Sequence, residues 1–214
     1  YLTSAEVAAL KVKDPFTSCV ARIWLAIKAW EQGYQNTAFG YLEKMLTSLG
    51  EKNYTFLFLR ESLMGLKDPE RIYPLLIAAY RNGIEKERIQ KLFNVRGFDD
   101  IEYHPGYSLW VKTFGDFKVW RSSQEIAPDS WRREKARHLF ELLIANRTKW
   151  LHRDQINAIL WADTPVENAS NYLKVVLSTL NQVLEPDRPR GVMPFFIERR
   201  QDSYRLNPKA RIIV

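Results

Sequence analysis

The spacing of apolar residues changes once along this chain of 214 residues, and the change restricts the folds open to it. Up to about residue 93, apolar side chains recur every three or four positions, which is the period of an amphipathic helix. From residue 109 they alternate with polar ones, which is the period of a half-buried strand. This order predicts a mainly α chain with a small β component, in which a helical region precedes a mixed unit.

Local start signals predict helices throughout the first region. Asp14-Pro15 couples an N-cap with a proline at the first helical position. Capping-box spacing at residues 3–6 predicts an earlier helix that turns Val7 and Leu10 toward the core. Further helices are predicted over 38–50, 54–65, 68–83 and 85–93. Joined by short turns, such helices form antiparallel hairpins.

The helical pattern stops in a stretch rich in glycine, proline and aspartate, which includes His104-Pro105-Gly106. We therefore predict a helical region over 1–97, a linker over 98–107 and a second domain over 108–214. In that domain alternation predicts strands near 109–113, 117–121 and 124–126, then three helices, and a final hairpin over 195–206. The third helix is predicted to start at Thr164-Pro165 inside a capping box and to end at Leu184. This order of elements is that of a winged helix.

The positive charge of the chain is concentrated at its end. The net charge is +7, and residues 188–214 hold seven basic against two acidic side chains. Such an excess favours nucleic acid or an acidic membrane surface as a partner. No apolar run reaches the ~20 residues that a membrane span needs, so no membrane partner is predicted.

Residues for enzymatic chemistry or metal binding do not form a recognisable set. Cys19 is the single cysteine, which excludes an internal disulfide and a cysteine-based zinc site. The three histidines have no ligand-like spacing, and no Gly-x-x-x-x-Gly-Lys phosphate loop is present. We predict no metal, no cofactor and no enzymatic activity. The start at Tyr1 and the apolar end at Ile213-Val214 suggest a piece of a longer cytoplasmic protein.

Five separated segments of the second half resemble, in order, the OmpR/PhoB-type winged helix-turn-helix of the SARP family of bacterial transcriptional activators. The resemblance covers residues 108–208. The segments are Phe114-Gly-Asp-Phe-Lys-Val-Trp120, Trp131-Arg-Arg-Glu-Lys-Ala-Arg137, Arg153-Asp-Gln-Ile-Asn-Ala-Ile-Leu-Trp161, the Leu-Ser-Thr-Leu run at 177–180 with Leu184-Glu-Pro186, and Asp202-Ser-Tyr-Arg-Leu-Asn207.

This resemblance implies a regulator that binds double-stranded promoter DNA in the bacterial cytoplasm, associated with the nucleoid, and recruits RNA polymerase. It implies a third helix in the major groove and a hairpin wing against the minor groove or the backbone. In the first half, residues 22–45 resemble a tetratricopeptide (TPR) unit, and with residues 48–93 they resemble the helical sensor region of MalT-like regulators. That likeness implies a sensor or homo-oligomerisation role for residues 1–97.

The third helix of the second domain supplies the candidate base contacts. Its apolar positions, such as Leu173, Leu177 and Leu180, must face the core. The residues left outward are Asn168, Asn171, Lys174, Val175, Ser178 and Gln182. Asn and Gln can pair with adenine, Lys with guanine, and a valine methyl can touch thymine. On periodicity alone, the alternative is that these residues form an ordinary solvent-exposed face of the helix. The resemblance favours contact with DNA.

Arginines supply the candidate phosphate contacts. Arg199, Arg200 and Arg205 alternate along the hairpin, so Arg199 and Arg205 are predicted to hold the backbone from opposite strands. The alternative is a charged edge that prevents strand aggregation. Arg132, Arg133 and Arg153 are candidate phosphate or polymerase contacts, with a solvated face as the alternative.

One departure from the family keeps a second function open. Relatives often carry three arginines where this chain has Thr179, Asn181 and Gln182. The alternative function is therefore a protein-interaction module, in which the winged helix docks a protein partner instead of DNA.

Overall fold

The computed structural model describes residues 1–52 and 54–214. About 53% of the chain is helical and 11% is strand, so the predicted class, mainly α with small sheets, is confirmed. Two compact units divide between Tyr107 and Ser108.

The first unit begins with three helices, α1 (Leu2–Lys11), α2 (Pro15–Glu31) and α3 (Gln35–Lys52). The predicted cap of α2 is confirmed, because the Asp14 carboxylate accepts hydrogen bonds from the backbone N–H groups of Phe16 and Thr17 at 3.0 and 3.1 Å. Gly33, at φ +80°, lies in the turn before α3, in the left-handed region that glycine tolerates best. Two 3₁₀ turns follow, Thr55–Phe58 and Pro69–Ile72, and then α4 (Tyr73–Arg81) and α5 (Lys86–Val95).

The helix predicted over 54–65 is wrong. Only Thr55–Phe58 forms a 3₁₀ turn there. The apolar residues at 56–59 are consecutive rather than spaced along one stripe, so a helix would expose half of them. The Ser62 hydroxyl accepts a hydrogen bond from the Gly65 N–H at 2.9 Å, a local turn that competes with helical pairing.

The inward orientation predicted for Val7 and Leu10 is also wrong, since they are 47% and 53% exposed. Helix α1 instead buries Ala9 and Glu6, and the Glu6 carboxylate accepts a hydrogen bond from Nε of Arg22 at 2.8 Å. The helix begins at Leu2 without a side-chain cap, so the predicted capping box does not form.

Residues 98–107, predicted as a linker, pack into the first unit. Phe98 and His104 are 3% and 2% exposed, and their rings lie 5.3 and 5.0 Å from that of Tyr73. The Glu70 carboxylate lies 2.8 Å from Nε2 of His104 and accepts a hydrogen bond from Arg96 at 2.5 Å. Burial lowers the pKa of His104 despite this carboxylate. Aromatic packing and the contact of His104 with the Glu70 carboxylate thus hold a segment whose composition is typical of a loop.

Two small sheets lie in the second unit. Strands β1 (Leu109–Lys112), β2 (Lys118–Arg121) and β3 (Gln124–Glu125) form an antiparallel meander as predicted, and a strand from the chain end, β7 (Ile212–Ile213), pairs in parallel with β1. The other sheet has the order β4-β6-β5, from β4 (Leu151–His152), β5 (Ile197–Arg200) and β6 (Ser203–Leu206). Strands β5 and β6 are the predicted hairpin, whereas the sequence did not predict β4 and β7.

Three helices complete the second unit: α6 (Glu134–Ala145), α7 (Arg153–Leu160) and α8 (Val166–Leu184). Helix α6 begins only at Glu134, because Pro128–Trp131 forms a 3₁₀ turn and Arg132 adopts a positive φ of +53°. Helix α8 ends at Leu184 as predicted, but its N-cap is Pro165 and no side chain caps it, so the capping box predicted from Thr164 is absent.

Candidate nucleic-acid interface

Helix α8 separates a buried stripe from an exposed polar strip. Leu173 and Leu180 are 1% and 0% exposed and pack inward. On the opposite side, residues 168, 171, 175, 178 and 182 follow spacings of three and four and form one strip along the axis. All six predicted contact residues are exposed: Asn168, Asn171, Lys174, Val175, Ser178 and Gln182. The helix therefore presents amides, a hydroxyl, a methyl pair and one cation outward.

Arg132 lies beside the end of this strip. Its Nη1 donates a hydrogen bond to Oε1 of Gln182 at 3.0 Å, which joins residues 50 positions apart. Arg132 has a positive φ and lies between the 3₁₀ turn and α6. The exposed side chains of Arg132 and Arg133 therefore both lie just before α6. Helices α6 and α8 pack together, which brings the basic start of one close to the polar strip of the other.

Two aromatic side chains border the strip. Tyr172 is 49% exposed, and its ring lies 6.3 Å from that of Trp161. They line a cavity of about 410 Å³ together with Val175 and the basic residues Arg133 and Lys135. Sequence reasoning missed Tyr172, because it lies at the margin of the buried stripe where periodicity does not decide exposure.

The hairpin orients its arginines by strand register. Arg199 pairs with Tyr204 and Arg205 with Glu198, and directly paired residues share one face of the hairpin. Arg199 thus lies on the face of buried Tyr204, while Arg205 lies on the other face with Arg200. Arg199 and Arg205 thus lie on opposite strands, as predicted, and on opposite faces of the hairpin.

Arg205 is held by two neighbours. Its Nε donates to Oε2 of Glu198 at 2.7 Å, and its guanidinium carbon lies 4.3 Å from the ring centroid of Trp150. The guanidinium of Arg199 lies 5.8 Å from the Tyr204 ring, and its Nε donates to the carbonyl of Gln201 at 2.9 Å. Stacking leaves the edges of both guanidinium groups as hydrogen-bond donors.

Arg153 joins the start of α7 to the hairpin turn. Its Nη1 lies 3.4 Å from the Asp202 carboxylate, and its backbone N–H donates to the Asp202 carbonyl at 2.7 Å. Its Nε also lies 3.4 Å from the Asp154 carboxylate. The charge of Arg153 is therefore shared with two carboxylates, in contrast to the charges of Arg132 and Arg133 beside the strip.

Glu185 connects the end of α8 to the chain that leads into the hairpin. Only 2% exposed, its carboxylate accepts hydrogen bonds from the backbone N–H groups of Phe195 and Phe196 at 2.8 and 2.9 Å. Burial raises the pKa of Glu185, although these bonds and Arg188 oppose the shift. This contact fixes the strip and the hairpin as parts of one structure, and no sequence motif indicated it.

Residues 1–52 and 54–214 contain neither a candidate metal cluster nor a helix that could cross a membrane. In that part of the chain, no three His, Cys, Asp or Glu side chains could hold a metal ion. Nor does any helix there have the length and apolar character that crossing a bilayer requires. Cys19 is fully buried, and burial raises the pKa of its thiol to about 11.

The chain matches no family model, no curated protein and no solved structure.

Proposed function

We propose that the second unit is an OmpR/PhoB-type winged helix-turn-helix that binds double-stranded DNA, within a SARP-like bacterial transcriptional regulator. The observation that carries the proposal is the polar strip of α8, which lies opposite a fully buried stripe on the longest helix of the unit. Its amide side chains carry the donors and acceptors needed to contact base edges in the major groove.

The arrangement of elements supports this docking. A meander of β1–β3 is followed by α6, α7 and α8 and then by the β5–β6 hairpin, the order expected for a winged helix. In the complex, α8 lies in the major groove and the hairpin lies along the adjacent backbone. Arg132 and Arg133 just before α6, and Arg199 and Arg200 on the hairpin, supply cations for phosphate contacts.

The proposed role of the first unit is to sense a signal or to bring copies of the regulator together. The α2–α3 hairpin supports a TPR-like unit, because Ala26 and Ala38 are fully buried and Ala29 is 7% exposed. Small residues at such positions let two helices approach closely. The regulator acts in the bacterial cytoplasm, without enzymatic activity or a cofactor, and recruits RNA polymerase once bound to its promoter.

Salt dependence of DNA affinity tests the proposal. The full chain is titrated against a fluorescently labelled duplex between about 50 and 200 mM salt, and the logarithm of the binding constant should fall linearly with the logarithm of the salt concentration. Arg200→Gln should make that slope shallower by about 0.9, the change for one lost phosphate contact. Lys67→Gln, an exposed change in the first unit, is the control. An affinity that is flat across this range would contradict the proposal.

A second candidate function is a protein-docking winged helix, and the ion pairs of the hairpin favour it. Arg205 is paired with Glu198, and Arg153 with Asp202, so two of the cations are already partly neutralised. This candidate predicts that no duplex binds even in low salt, which is the opposite outcome of the same titration.

A further inference from the structure

The exposed strip of α8 lacks arginine, the side chain that most often contacts guanine in the major groove. No arginine lies anywhere in α8, and Lys174 is its one cation. Arginine is the side chain best suited to guanine, because its two donors match the O6 and N7 acceptors. The strip instead begins with Asn168 and Asn171, whose amides offer the donor and acceptor that match N7 and N6 of adenine.

The next position along the strip is apolar. Val175 is 45% exposed, one turn after Asn171, and lies beside the 49% exposed ring of Tyr172. Both residues line the cavity of about 410 Å³ described above, together with Trp161. An exposed methyl group beside an aromatic ring suits the C5-methyl of thymine, the one apolar group that base pairs present in the major groove.

Other polar groups of α8 are less suited to base selection. The side-chain oxygen of Gln182 already accepts the hydrogen bond from Arg132, so this pair is directed to the backbone rather than to adenine. Lys174 lies at the side of the strip away from Tyr172, where a flexible point charge suits a phosphate. Asn168 and Val175 are seven positions apart, or about 10 Å along the helix, which corresponds to roughly three base pairs.

We propose that α8 selects a block of about three consecutive A·T base pairs, with Asn168 and Asn171 on adenine and Val175 on a thymine methyl group. This inference rests on the proposed DNA-binding function and specifies the DNA that the same site recognises. Selection occurs in the major groove, so it depends on the methyl group and not on the width of the minor groove.

A randomised duplex library, enriched on the full chain and sequenced, gives the first readout. The expected result is a motif that contains at least three consecutive A·T pairs. Enrichment of a G·C motif, or binding without any enriched motif, overturns the inference and leaves DNA binding intact. Failure of the library to bind at all in low salt overturns the proposed function itself.

Replacing thymine by deoxyuracil in the enriched duplex gives the second readout, because it removes only the methyl group. Affinity should fall about fourfold at the contacted thymine, the effect of one lost methyl contact. Val175→Ala should bring this ratio close to one. Val95→Ala, at an exposed valine of the first unit, should leave the ratio at about four. Equal affinity of the wild-type chain for the two duplexes at every thymine overturns the methyl contact.

Discussion

Replacing Asn171 by alanine is expected to lower the affinity for the preferred duplex by about 1–3 kcal/mol, roughly 5- to 150-fold. Asn171 is exposed in the N-terminal half of the strip, so its amide is accessible to a base edge. The affinity falls because the adenine edge loses the donor and the acceptor that the Asn171 amide supplies. Anisotropy titration with the enriched duplex measures it.

The same substitution should change affinity for a random duplex little, because non-specific binding depends on phosphate contacts. Asn94→Ala, at an exposed helical asparagine of the first unit, is the matched control and should alter neither titration. Equal losses on preferred and random DNA would mean that Asn171 contacts the backbone, and the assignment of base recognition to this strip would be wrong.

Glu185→Ala should lower the free energy of unfolding of the second unit by about 2–6 kcal/mol. The substitution leaves the buried backbone N–H groups of Phe195 and Phe196 without an acceptor, and each such loss costs about 1–3 kcal/mol. Urea unfolding of the full chain, followed by tryptophan fluorescence, measures the change, since five of the seven tryptophans lie in residues 108–214.

Glu185→Gln is the control for this effect, because its side-chain oxygen can still accept both hydrogen bonds. It should cost clearly less than the alanine variant, and the raised pKa of Glu185 indicates that burial already disfavours the charge. If the two variants lose the same stability, the charge rather than the hydrogen bonding of Glu185 is responsible.

Local sequence signals predicted the elements that depend on contacts between residues close in sequence. Asp14-Pro15 gave the start of α2, because an N-cap and its helix are neighbours in sequence. The alternation after residue 108 gave β1 and β2, and the apolar stripe of α8 gave its exposed strip. In each of these cases the whole signal lies within a single element or its cap.

Long-range contacts account for most of what the sequence did not predict. Strands β4 and β7 have two residues each and exist through distant partners, as in the pairing of Leu151 with Tyr204 and of Ile212 with Leu109. The segment 98–107 is buried because Phe98 and His104 meet Tyr73 about 25 to 30 positions earlier. No local pattern encodes such contacts.

The partners of the hairpin arginines were partly predictable from the sequence. The two-residue turn Gln201-Asp202 fixes the register and therefore places Glu198 opposite Arg205, which the sequence contained. The stacking of Arg205 on Trp150, and the hydrogen bond between Arg132 and Gln182, depend on the tertiary packing of separate elements. The pairing of Arg205 with Glu198 was thus predictable from the sequence, whereas the tertiary contacts were not.

The most direct test of the account is to locate DNA on the protein with a cleaving group. Cys19 is fully buried with a raised pKa, so a cysteine introduced at exposed Ser178 can be modified selectively with an iron chelate. Ser178→Cys carrying the chelate should cut the bound duplex within the enriched motif, while the wild-type chain treated alike should not. Contrary evidence would be a complex that the Ser178 conjugate leaves uncut but that the same chelate at Lys112→Cys, on the outer face of β1, cleaves.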